Sequence, residues 1–218
     1  MGATQRRVSY SEEGYSSQRQ GRHGGSVRRL IVTVLTLAVL AAGGVALVPL
    51  VRRAIQHFEL PLQYASIIRQ QAAQKHLDPA LIAAVIYAET RFQPRTSSTG
   101  AEGLMQIEPA TARFLAHRSG ATAFTLADLG TPQVNIAYGS YYLRYLMNEY
   151  GGSKVLALAA YNGGDTNVNI WLGRARARHE RFTIADIPLA TGVRAYVSEV
   201  LSKQHAYRSK YARQLGYT

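Results

Sequence analysis

Residues 30–51 run for 22 positions without a charged side chain and are bracketed by Arg28-Arg29 and Arg52-Arg53. About 20 apolar residues suffice to span a bilayer as a helix, whereas a secretion signal carries a core of about 7 to 15 residues close to the chain start. This run is longer and 29 residues precede it, so a single transmembrane signal anchor is expected, with Gly44-Val45-Ala46 a weak candidate cleavage site. The expected organisation is a basic arm over 1–29, the anchor over 30–51, a tether over 52–61 and one domain over 62–218.

The arm is rich in Gly, Ser, Gln and Arg and poor in large apolar residues, a composition that favours disorder. Its six arginines against Glu12 and Glu13 leave a net of +4, which by the positive-inside rule puts the arm in the cytoplasm and the domain on the other side. A tether of about ten residues reaches roughly 35 Å at most, so the domain stays near the bilayer.

The domain, roughly 155 residues long, is large enough for a full core. With no cysteine in the chain, disulfides, thiol chemistry and an acylated-cysteine anchor are excluded. The six histidines are scattered without a His-Glu-x-x-His spacing, so neither a metal nor a cofactor is expected. Formal net charge is +12, of which +8 lies beyond the +4 arm. Such a balance fits nucleic acid, anionic lipid or an anionic polymer. No DNA-reading motif is present, so nucleic acid is not expected as a partner. Arg174, Arg176 and Arg178 suit an anionic polymer, and Arg208, Lys210 and Arg213 read as a solvated face.

Alternating patterns are nearly absent, and the spacing predicts helices over 62–75, 79–90, 109–116, 132–150, 154–161, 168–178 and 192–207, an all-α domain. The clearest helix starts at Asp78 as N-cap with Pro79 in the first position and meets no breaker before Thr90. Glu89 falls in its last turn, on the stripe of Ile82, Val85 and Ile86. Burial and the carbonyl end of the helix both disfavour the ionised form, so its pKa is expected to rise, as a general acid requires. The competing reading is a surface salt bridge to Arg91 or Arg95. Tyr138, Tyr141, Tyr142 and Tyr145 share a helical spacing that favours packing, with some rings available to a groove.

Three ordered blocks carry a resemblance. The first is Glu89-Thr90-Arg91-Phe92-Gln93-Pro94 with the stretch from Ser97 to Ala112; the second is Ala159-Ala160-Tyr161-Asn162-Gly163-Gly164 with Trp171-Leu172; the third is Arg194-Ala195-Tyr196-Val197. Together they resemble the soluble lytic transglycosylase (SLT) family of lysozyme-like enzymes of goose type. Three blocks in order are far more specific than any single motif. The chain departs from the family pattern at Thr90, where serine is common, by one residue fewer between Glu89 and Gly100, at Gly163, where alanine is usual, and at Gly192-Val193, where Glu-Thr is frequent, one residue further from Ile187-Pro188.

The resemblance implies a peptidoglycan lytic transglycosylase that needs no cofactor. Glu89 would protonate the glycosidic oxygen between N-acetylmuramic acid and N-acetylglucosamine, then act as base toward the muramic acid C6 hydroxyl, closing a 1,6-anhydro ring. It implies substrate contacts at Ser97, with Ser98 able to replace it, and at Gly100, Gly103, Met105, Gln106, Tyr161, Asn162 and Tyr196. Read as residues alone, the two glycines fit plain turns as well as close sugar approach, Met105 fits core filling, and Asn162 fits a chain reversal slightly better. Peptidoglycan strands, the membrane and cell-wall machinery proteins are the implied partners, at the extracytoplasmic face of a bacterial cytoplasmic membrane. Two alternatives stay open: a hydrolytic muramidase that needs a second carboxylate, with Asp165 as candidate, and a non-catalytic peptidoglycan-binding scaffold.

Overall fold

A computed structural model describes residues 60–217 together with Val34 and Leu35. The arm, nearly all of the expected anchor and most of the tether lie outside the described residues. No helix among the described residues is long and apolar enough to cross a membrane.

Seven α-helices run through residues 60–217: α1 Ala65–Lys75, α2 Pro79–Thr90, α3 Pro109–Ser119, α4 Pro132–Glu149, α5 Lys154–Gly163, α6 Asp165–Ala177 and α7 Val193–Lys210. Helix α2 has the bounds its sequence dictates. The Asp78 carboxylate accepts from the Ala80 N–H at 2.9 Å, Pro79 opens the helix, and Arg91 closes it in the left-handed region at φ 52°. The stripe expected on α2 is in fact a helix buried all round: Ala80 to Tyr87 are all inside. A helix apolar on every side belongs at the centre of a domain. It packs most extensively on α7.

Other helix ends differ from the sequence reading by up to three residues. Helix α3 continues to Ser119 because Gly120, at φ 72°, is the residue that closes it. Helix α6 begins three residues early, at Asp165, because Gly164 at φ 79° ends α5 and launches the next helix without a loop.

A two-stranded antiparallel sheet, β1 Arg95–Thr96 and β2 Glu102–Gly103, corrects the expectation of helix throughout. Strands of two residues leave no alternation to read. The hairpin follows α2 directly and carries the residues between Glu89 and α3. Gly103 is there by necessity: its φ is +75°, and a Cβ would lie 2.2 Å from the Asn135 side chain.

Candidate active site

Glu89 is half-buried in the last turn of α2, where the otherwise apolar helix meets the hairpin. Burial pushes its carboxyl from an ordinary 4.5 up to about 7, while the Tyr196 hydroxyl and the Arg95 charge pull the other way. The Tyr196 phenol makes no regular hydrogen bond. Its contact with Glu89 is therefore a long or bent one, weak enough for desolvation to win. Neither arginine forms the salt bridge of the competing reading. Arg91 pairs with Glu199 at 3.7 Å, and Arg95 donates at 2.8 Å to the Glu89 backbone carbonyl rather than to the carboxylate.

Glu89 stands in an open groove of about 420 Å³ that Ser97, Gln106, Tyr161 and Asn162 also line. Tyr161 donates to the Met105 carbonyl at 2.9 Å, and burial first, then the Glu89 charge, holds its hydroxyl far above the usual phenol range. Tyr196 is nearly buried behind Glu89 on the first turns of α7. Two neutral phenols thus flank one carboxylic acid.

The hairpin is set by a residue the sequence reading passed over. Asn135, 1% exposed near the start of α4, accepts from the Met105 N–H at 2.8 Å and donates to the carbonyls of Glu102 at 2.8 Å and Leu129 at 3.1 Å. An asparagine one turn inside a helix opening was the available signal. Thr90, in the serine position of the pattern, donates at 2.8 Å to the Leu104 carbonyl and so ties the end of α2 to the same loop.

These restraints assign the remaining candidates. The Met105 side chain is wholly buried against Gly139, so only its backbone reaches toward the site. Gln106, at φ 49°, donates its amide to the carbonyls of Arg95 and Gly103 at 2.8 and 2.9 Å, which leaves its side-chain oxygen for a ligand. The Ser97 hydroxyl accepts from the Ala101 N–H at 2.9 Å on the groove wall, whereas Ser98 is exposed and outside the lining. Gly100, at φ +82°, shapes the hairpin turn and Gly103 its approach to Asn135; neither lines the groove.

The profile of the transglycosylase SLT domain matches residues 66–183, more than half of the chain. The chain belongs to the SLT domain family. The soluble lytic murein transglycosylase of Escherichia coli strain K12 is 29% identical over 150 residues, 68% of this chain and 23% of that protein. A transglycosylase of Enterobacteria phage PRD1 is 38% identical over 109 residues, 50% of this chain and 37% of that one. Among solved structures, an inactive mutant of the lytic transglycosylase Slt from Pseudomonas aeruginosa aligns with a TM-score of 0.64 at 31% identity, covering 70% of this chain and 25% of that chain. This chain spans about a quarter of the length of the full-length soluble relatives.

Within this SLT domain, Gly163 packs closely on α7: a Cβ there would sit 2.8 Å from a methyl of Val193, the residue just before the third block. Glu108 and Thr111, which were not among the sequence candidates, also line the Glu89 groove, as does Tyr142 of the tyrosine cluster, some of whose rings were expected at a groove. Glu108 is exposed and projects from the loop that opens α3 onto the groove wall. Asp165, the second carboxylate considered from sequence, lines a neighbouring basin instead.

Proposed function

We propose that the domain is a peptidoglycan lytic transglycosylase in which Glu89 serves as both acid and base. The observation that carries this reading is a carboxyl held near pKa 7 by burial in an open groove. Glu89 donates its proton to the glycosidic oxygen as the bond to the muramic acid C1 breaks, and the resulting carboxylate takes the C6 hydroxyl proton as that oxygen closes on C1. Because the nucleophile belongs to the substrate, its effective concentration is already high and no second carboxylate is needed. Tyr161 and Tyr196 stay neutral at physiological pH; Tyr161 spends its proton on the Met105 carbonyl, whereas the buried Tyr196 hydroxyl is free to donate to the ionised Glu89.

The domain is placed outside the cytoplasmic membrane by an anchor over residues 30–51, with the arm inside and the tether confining cleavage to glycan close to the bilayer. Support comes from the uncharged 22-residue run and from a relative named membrane-bound lytic murein transglycosylase C of Actinobacillus pleuropneumoniae, 33% identical over 112 residues, 47% of this chain and 31% of that protein. Peptidoglycan strands are the substrate, and cell-wall machinery is the partner class.

A muramidase remains the second reading because one further carboxylate, Glu108, shares the groove with Glu89. Mass spectrometry of peptidoglycan digested by the full chain separates the two. The lyase releases muropeptides one water lighter than a hydrolase does, and the Glu89→Gln variant releases none. Products with reducing ends and no anhydro ring would establish hydrolysis, and release by Glu89→Gln equal to wild type would remove Glu89 from the chemistry.

A further inference from the structure

Beside the Glu89 groove lies a second basin of about 310 Å³, and Thr111 and Tyr142 line both. Aromatic rings run between them without a break. Phe114 meets Tyr145 edge to face at 5.2 Å, Tyr145 stacks with Tyr142 at 6.3 Å, and Tyr142 tilts against Tyr161 at 5.3 Å. Phe114 is 42% exposed, so an apolar ring faces solvent at the basin wall.

The charge along these walls has one sign. Glu149 and Asp165 line the basin and Glu108 lines the groove beside the protonated Glu89, while no lysine or arginine lines either, in a chain of net charge +12. None of the ion pairs among the described residues engages Glu108, Glu149 or Asp165. The Asp165 carboxylate accepts from the Thr166 N–H at 2.7 Å and remains exposed. One of these rings is already engaged by a cation from outside the lining, the Arg118 guanidinium 5.0 Å from the centre of Tyr145. Burial, then the nearby Asp165 charge, pushes the Tyr142 hydroxyl up to about 12, so the ring at the junction stays neutral and its face electron-rich.

We propose that this aromatic basin, with Asp165 and Glu149 on its wall, binds a primary ammonium carried by the substrate while the scissile bond lies at Glu89. The proposal rests on the glycan-cleaving reading of the neighbouring groove. Two parts of a peptidoglycan substrate can carry the group: a de-N-acetylated amino sugar of the strand, or the side-chain amine of a stem peptide. In either case ring faces and exposed carboxylates attract the ammonium, and acylation removes both attractions. The combined effect is about three- to tenfold in favour of the free amine at low salt.

The test uses the full chain and two substrate pairs. One pair is peptide-free glycan strands, fully N-acetylated or partly de-N-acetylated; the other is peptide-bearing strands with the side-chain amine free or acetylated. The readout is the ratio of kcat/KM within each pair, with binding of the same strands to Glu89→Gln measured by calorimetry. At least one pair shows a three- to tenfold preference for the amine, shrinking with added salt and falling to about one in the Asp165→Asn, Glu149→Gln double variant. Preference in the first pair assigns the sugar amine, and in the second the peptide amine. Phe114→Leu, which removes an exposed ring and no charge, lowers the ratio as an independent variant. Ratios of one in both pairs, or a preference untouched by the double variant, overturn the proposal. Cleavage without preference defeats the ammonium site alone, whereas preference in binding without any cleavage defeats the lyase reading and leaves the site standing.

Discussion

Helix α2 carries a carboxylate at each end, and the two have opposite fates. Both are penalised by burial, which is the largest single influence on each. Asp78, at the N-terminus, is surrounded by donors: Gln204 Nε2 at 2.6 Å, Arg208 Nη2 at 2.6 Å, the Ala80 N–H and the Tyr217 hydroxyl. Together they hold its carboxyl below the ordinary range. Glu89, at the other end, has one imperfect phenol contact and one arginine whose hydrogen bond goes to the backbone. Its carboxyl rises to about 7. Desolvation alone decides neither case; the number of committed donors does. The first carboxylate fastens α7 and the C-terminal turn to α2, and the second is left free to exchange a proton.

The sharpest break in this comparison is Glu89→Gln, which keeps the shape and removes the proton. Turnover of peptidoglycan is expected to fall by about a thousandfold or more, since a positioned general acid contributes about 10² to 10⁴ and here the same group also serves as base. Release of soluble muropeptides measures it. Asp78→Ala should do the reverse, sparing the chemistry while costing about 2–4 kcal/mol of stability through the lost cap and the lost clamp. Urea unfolding reports this directly.

The pH dependence of stability should separate the two ends in sign. Asp78, with its folded pKa depressed, contributes stability above the ordinary 3.8 of a free aspartate that is lost as pH falls through the lower folded value. Glu89, with its folded pKa raised from 4.5 to about 7, binds more protons folded than unfolded in that interval, so stability falls as pH rises across it. Glu89→Gln should therefore gain up to about 3 kcal/mol over wild type at pH 8 and nothing below pH 4. Parallel unfolding curves at the two pH values check it. The smallest effect belongs to Arg95→Ala. Loss of that charge raises the Glu89 pKa further, so the alkaline limb of kcat/KM, where the acid loses its proton, moves up by less than about one pH unit.

Legibility in the sequence followed the range of the interactions. Helix α2 could be read to the residue because its cap, its proline and its unbroken apolar run are all local. Glu89 was visible for the same reason, as a lone acid in that run. The hairpin was not, since its register depends on Asn135, 32 positions past the Gly103 it packs against. Tyr161 and Tyr196 carried the resemblance but not their geometry, which needs α7 folded against α2 and α5 folded against α7. Gln106 and Met105 show the limit of motif reading. Their positions lie at the site, yet one spends its donors on loop carbonyls and the other buries its side chain. Tyr142 belongs to the tyrosine cluster whose spacing left some rings for a groove, whereas Glu108 reached the groove through tertiary packing that no spacing encodes.

The central claim is that Glu89 keeps its proton near neutral pH because burial outweighs its few partners. Titration of the Glu89 carboxyl carbon by NMR, in protein labelled at that site, tests it without substrate. The account predicts a midpoint at about pH 7, and a midpoint near 4.5 would contradict it.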